Sequence, residues 1–185
     1  MTLAFASGCG GGTKAAPPAA PIVTPQPTAS AVPTPAGQVP DPVEVRLPRL
    51  GIDAAMDPLH IDAKTGVLIP PQYGRAGWYA AGPEPGELGR SVILGHVDSV
   101  TGPDTFAALH DVRNGDRIVV KLADGSTRTF VVYQREIAAR SDFPTSQVYG
   151  GPRTDAEVRL ITCIGPYDKA RDGYQDNLIV FARMT

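Results

Sequence analysis

The chain has 185 residues, a formal net charge of −2 and 42% hydrophobic residues. That length sets a prior of one domain with a tail, and the charge balance offers no basic footprint for nucleic acid. No stretch approaches the ~20 consecutive apolar residues that a membrane span requires.

The chain opens on Met1-Thr2-Leu3-Ala4-Phe5-Ala6-Ser7-Gly8-Cys9. Small residues running into Gly-Cys resemble a bacterial lipoprotein cleavage site, in which the cysteine becomes the lipidated N-terminus. The apolar stretch is too short for a complete signal peptide and lacks a basic n-region. Residues 1–14 therefore read as a truncated lipobox segment, with Cys9 as the candidate lipid attachment point. Residues 15–42 are mostly Pro, Ala, Thr and Val, almost without charge or aromatic rings. Such a segment cannot bury enough apolar surface to offset its ordering entropy, and its prolines favour extended conformations. It reads as a spacer, leaving residues 43–185 as the globular part.

Within that part, Val43 to Leu47 alternates as a strand closed by Pro48, and Leu50 to Met56 suggests a second strand bent at Gly51. Leu59-His60-Ile61 and Val67-Leu68-Ile69 flank a turn at Lys64-Thr65-Gly66, and Ala76 to Tyr79 carries the only tryptophan. After the turn-rich run Gly82 to Gly89, an apolar strand from Ser91 exits at Gly95-His96. Phe106 to Leu109 fits a single helical turn, and Asn114-Gly115-Asp116 is a strong turn signal. Arg117 to Leu122 and Thr127 to Ile137 flank a second turn, Asp124-Gly125, as a hairpin. Residues 138–154 form a loop with at most a short helix. Val158 and Leu160 alternate with Glu157 and Arg159, the period of a half-buried strand. That strand becomes apolar up to Cys163, where Gly165-Pro166 is expected to end it. A polar loop leads to a last strand, Leu178 to Ala182. About eight short strands without a long amphipathic helix give an all-β fold, sandwich or barrel.

Cys163 is the only cysteine of the globular part, so no structural disulfide can form within it. Read alone it is either a small buried hydrophobe or a nucleophile, and only a thiolate attacks, so a nucleophile needs a base or cation nearby. His60, in an alternating strand, and His110, in a polar turn, read as structural or solvated. His96 ends an apolar strand on a glycine as Cys163 ends another, and two strand-end residues can meet at one barrel mouth. One cysteine and scattered histidines give no zinc-like ligand spacing, and no Gly-x-Ser-x-Gly elbow is present.

The pairing of Leu94-Gly95-His96-Val97-Asp98-Ser99 with Leu160-Ile161-Thr162-Cys163-Ile164-Gly165-Pro166 resembles the sortases, cysteine transpeptidases of Gram-positive surfaces. Gly115-Asp116-x-Ile118-x-Val120 and Tyr174-Gln175-Asp176-Asn177 extend the resemblance, which is strongest to the actinobacterial class F group. It implies a closed eight-stranded β-barrel and no metal or organic cofactor. It further implies that Cys163 attacks the Thr–Gly bond of a Leu-Pro-x-Thr-Gly-like sorting signal to form a thioacyl-enzyme. His96 would serve as acid and base, and the acceptor would be an amine, often a peptidoglycan precursor. The resemblance places the enzyme at the cell surface as a monomer, touching the membrane only through its N-terminal anchor. The family's arginine commonly stands just before the last strand, where this chain has Asp176-Asn177. Arg171 is the nearest replacement, while Arg75 and Arg140 would need the fold to bring them in and Arg183 lies at the far end. The vacancy keeps a second reading open, a non-catalytic wall-binding or substrate-holding barrel.

Overall fold

The structure, a computed structural model, describes residues 39–171 and 173–185. The lipobox segment, Cys9 and nearly all of the Pro/Ala/Thr-rich spacer lie outside the described residues. Alternation builds the first strand, β1 (Pro42–Leu47), where Val45 and Leu47 are buried and Glu44 and Arg46 sit at the edge of solvent. β2 (Ile52–Leu59), β3 (Ala76–Tyr79) and β4 (Gly89–Gly95) follow. A two-stranded ribbon then comes from β5 (Asp98–Ser99) and β6 (Gly102–Pro103). β7 (Arg117–Leu122), β8 (Thr127–Ala139), β9 (Ala156–Asp168) and β10 (Gly173–Met184) complete the chain. Eight strands close a barrel in the order β1-β2-β3-β4-β9-β10-β8-β7, with β7 returning to β1. The resemblance implied this closed count of eight, and the structure has it. β2–β3 and β4–β9 are parallel pairs, and the remaining pairs are antiparallel.

Period-two alternation sends the two faces of the strands into two apolar clusters. The barrel interior takes Val45, Ile93, Phe106, Val158, Leu160, Leu178 and Val180. A second cluster lies outside the barrel wall, where Leu94, Ile161, Ile179 and Ala138 pack under Val148 and Leu68. Val148 belongs to the one-turn helix α1 (Thr145–Val148) in the β8–β9 connection, and Leu68 belongs to the β2–β3 connection. Burying each such side chain contributes about 1.5–3 kcal/mol.

The structure corrects four details of the sequence reading. The second strand begins at Ile52 and runs to Leu59. Ile61 and Leu68 form only an isolated bridge, so His60 is in an exposed connection and not a strand. Glu157 and Arg159 do not face water: Arg159 is 1% exposed. Its guanidinium lies 4.6 Å from the Phe181 ring centroid and donates to Glu157 over 2.6 Å. Finally, β9 does not stop at Gly165-Pro166 but continues to Asp168 against β10. Ile164 pairs with Asp176 and Tyr167 with Tyr174, so Gly165 and Pro166 together oppose Gln175 in a bulge. A bulge needs no ladder N–H from its extra residue, which admits a proline, and Gly165 adopts φ +86° there.

Candidate active site at one end of two parallel strands

β4 and β9 run parallel, and their last paired residues are Leu94 and Ile161. His96 and Cys163 each stand two residues beyond that pair. Neighbouring strands lie about 4.8 Å apart, so the two backbones leave the sheet side by side. Leu94 and Ile161 face the outer cluster, and the period of two gives His96 and Cys163 the same outer side. β10 and β8 extend this row, because Asn177 pairs with both Cys163 and Ala138. Arg140 follows Ala138 by two residues and opens a short 3-10 turn, Arg140–Asp142.

The imidazole is held from several directions. His96 Nε2 lies 2.8 Å from the Pro71 carbonyl oxygen, which can only accept, so Nε2 carries the proton in that contact. Nδ1 is left as the nitrogen that can exchange a proton. The Tyr73 ring packs at 4.7 Å between centroids, and the Phe106 amide donates to the His96 carbonyl over 2.8 Å. Gly95 is required because a Cβ there would stand 2.6 Å from the Phe106 ring. The "Gly-His" of the sequence is thus one packing unit.

Cys163 is half-buried and unbonded to any other cysteine among the described residues. Burial pushes its thiol up to about 11; the Arg140 cation opposes that rise and the Asp98 carboxylate adds to it. At neutral pH the resting group is therefore a thiol. In a Cys9→Ser background, alkylation of Cys163 by iodoacetamide should accelerate about tenfold per pH unit from neutrality and level off only near pH 11. A plateau reached by about pH 8 would contradict the buried-thiol electrostatics.

Asp98, two residues after His96, accepts a 2.6 Å hydrogen bond from the Tyr174 hydroxyl. That bond, with burial, lifts the Tyr174 phenol to about 12. Tyr174 also packs edge-on against Tyr167, with centroids 5.3 Å apart. The hairpin carrying Cys163 is thereby tied to the loop leaving His96. Sequence reading missed this tie, since Asp98 was visible only as part of a motif.

The arginines separate clearly. Arg171 ends the 3-10 turn Lys169–Arg171 at the tip of the β9–β10 hairpin. Its side chain is 73% exposed and its Nε lies 3.1 Å from Asp168. Arg75 is paired with Asp57. Arg183 stacks on Tyr133 and approaches Glu157 at the opposite end of β10. The cation acting on the Cys163 thiol is Arg140, whose Nη1 also donates to the Arg171 carbonyl at 3.4 Å. The other two histidines stand elsewhere: His110 Nδ1 is bonded to the Ala107 carbonyl, and His60 is exposed. Among the described residues, no helix is long and apolar enough to cross a membrane.

The sortase domain family profile matches residues 45–185, which include both His96 and Cys163. The chain belongs to the sortase family. Solved sortase structures share its fold. Sortase A from Corynebacterium diphtheriae superposes with a TM-score of 0.58 at 20% identity, over 81% of this chain and 63% of that one. The chain thus spans under two thirds of that enzyme's length. Sortase C-1 from Actinomyces oris gives 0.59 at 20% identity, over 78% and 75% of the two chains. A Clostridium perfringens protein described as a sortase D5 transpeptidase gives 0.56 at 17% identity, covering 77% of each chain. No curated protein sequence matches the chain.

Proposed function

We propose that this sortase is a cysteine transpeptidase that cleaves a Leu-Pro-x-Thr-Gly-like sorting signal and passes the acyl group to an amine. The observation that carries the reading is the placement of Cys163 and His96 two residues beyond the same pair on adjacent parallel strands. Cys163 Sγ attacks the Thr–Gly carbonyl carbon while His96 takes the thiol proton. Collapse of the tetrahedral intermediate breaks the C–N bond, and His96 returns the proton to the leaving glycine amine. The thioacyl-enzyme then awaits an amine. A peptidoglycan precursor is the acceptor this reading favours, with the enzyme monomeric and held at the cell surface by its N-terminal segment. The class F assignment rests on the sequence motifs alone.

We assign the oxyanion-stabilising arginine to Arg140 in preference to Arg171. A guanidinium aimed at developing charge carries several N–H donors without needing to titrate. Support for Arg140 comes from its place in the row of Ala138, Asn177 and Cys163 and from its action on the thiol. Arg171 instead faces solvent beside Asp168.

The test is incubation with labelled peptides spanning several sorting-signal variants, with hydroxylamine as acceptor. Release of the glycine-containing fragment together with a threonyl hydroxamate is expected; no cleavage of any variant would sink the enzymatic reading. One observation favours the non-catalytic wall-binding barrel, namely the thiol lifted to about 11. Under the enzymatic reading, alkylation of Cys163 responds to His96→Ala, and under the binding reading it does not.

A further inference from the structure

The second half of a transpeptidation brings a cation to the site. A primary amine is protonated at neutral pH, so the acceptor arrives as an ammonium beside a thioester and must shed a proton before it can attack. The neighbourhood of the thiol already holds the Arg140 cation, which repels a second positive charge. The rim also offers one carboxylate that acts on the thiol, that of Asp98. Asp98 is exposed and stands two residues after His96. Its Oδ2 is held by the Tyr174 hydroxyl at 2.6 Å, and among the described residues it forms no ion pair within 4.0 Å. Tyr174 in turn packs edge to face with Tyr167 at 5.3 Å between centroids, and Tyr167 is exposed. An exposed carboxylate with no cation paired to it, fixed in place by a tyrosine hydroxyl, is a setting that recognises an ammonium by charge and by a charge-assisted hydrogen bond.

Resting on the transpeptidase reading above, we propose that Asp98, held by Tyr174, docks the protonated amine acceptor next to His96. The docked ammonium gives one proton to neutral His96. The freed amine attacks the thioester carbonyl carbon, so a C–N bond forms and the C–S bond breaks. The nitrogen's second proton goes to the departing sulfur, which leaves the amide, the Cys163 thiol and a His96 imidazolium. Charge balances at one positive on each side, and no oxidant or further reactant enters.

The experiment measures how the thioacyl-enzyme divides between amide and hydrolysis products. It uses the full chain and two acceptors: a glycine-terminated peptide, which is cationic at neutral pH, and hydroxylamine, which is neutral there. Asp98→Asn should lower the amide-to-hydrolysis ratio roughly five- to tenfold with the peptide and leave it unmoved with hydroxylamine. Tyr174→Phe, which keeps the carboxylate but removes its holder, should shift the peptide ratio the same way by less. Asp168→Asn, the same charge change at the hairpin tip, should not shift it. An equal fall with both acceptors, or no fall with either, would overturn the docking role. A wild-type chain that forms no thioacyl-enzyme would overturn the transpeptidase reading, and this proposal with it.

Discussion

Cys163→Ala is expected to lower sorting-signal turnover by at least about 10⁴-fold while leaving the protein folded. The magnitude follows from the chemistry, since removing a nucleophile removes the covalent path and leaves only binding and electrostatic assistance. Nothing beside the site supplies a substitute: among the described residues Cys163 is the only cysteine. Persistence of the fold follows from its position. The residue is half-buried at the edge of the outer cluster, beyond the last β4–β9 pair. Exchanging its sulfur for hydrogen leaves a small, partly solvated gap and costs on the order of 1 kcal/mol. A thermal midpoint within a few degrees of wild type, alongside lost turnover, is the expected combination. Substantial activity in the alanine variant would dismiss the nucleophile.

The second large effect concerns the arginine. Arg140→Gln should lower kcat by about 10²–10³-fold, the range seen when one donor to a developing oxyanion is removed. Arg171→Gln should change it by less than about threefold, because its exposed pair with Asp168 is screened and weak. The contrast follows from sheet geometry. Arg140 lies 23 residues before Cys163 in sequence, yet Ala138 and Cys163 pair with the same residue, Asn177, from opposite sides. Loss of Arg140 also removes the cation that opposes the rise of the Cys163 thiol. The alkaline limb of thiol alkylation should therefore move further upward in Arg140→Gln. An unshifted limb with full activity would return the role to Arg171 or to no arginine.

Much of this architecture is written locally. The apolar run ending at Gly95-His96 marks a strand and its exit, and alternation marks the strands of the β7–β8 hairpin. Where sequence misleads, a lateral contact overrides the local signal. Gly165-Pro166 reads as a stop, yet β10 absorbs both residues in a bulge and carries β9 on to Asp168. The polar run from Tyr174 to Asn177 reads as loop, yet it is the first part of β10, opposite the thiol. Arg159 alternates like a solvated charge, but it is buried, where Glu157 accepts from its guanidinium and the Phe181 ring stacks on it. Arg171 is near Cys163 in sequence and Arg140 is near it through the sheet. No periodicity in one chain reveals that difference, because strand order is set by pairings among residues far apart.

The central claim is that Cys163 becomes acylated, and intact mass measurement on the chain mixed with a Leu-Pro-x-Thr-Gly peptide tests it most directly. Quenching at short times should show a mass increase equal to the acyl fragment, mapped by peptide analysis to Cys163 and discharged by hydroxylamine. Cleavage of the peptide with no adduct, or an adduct located on any other residue, would contradict the account.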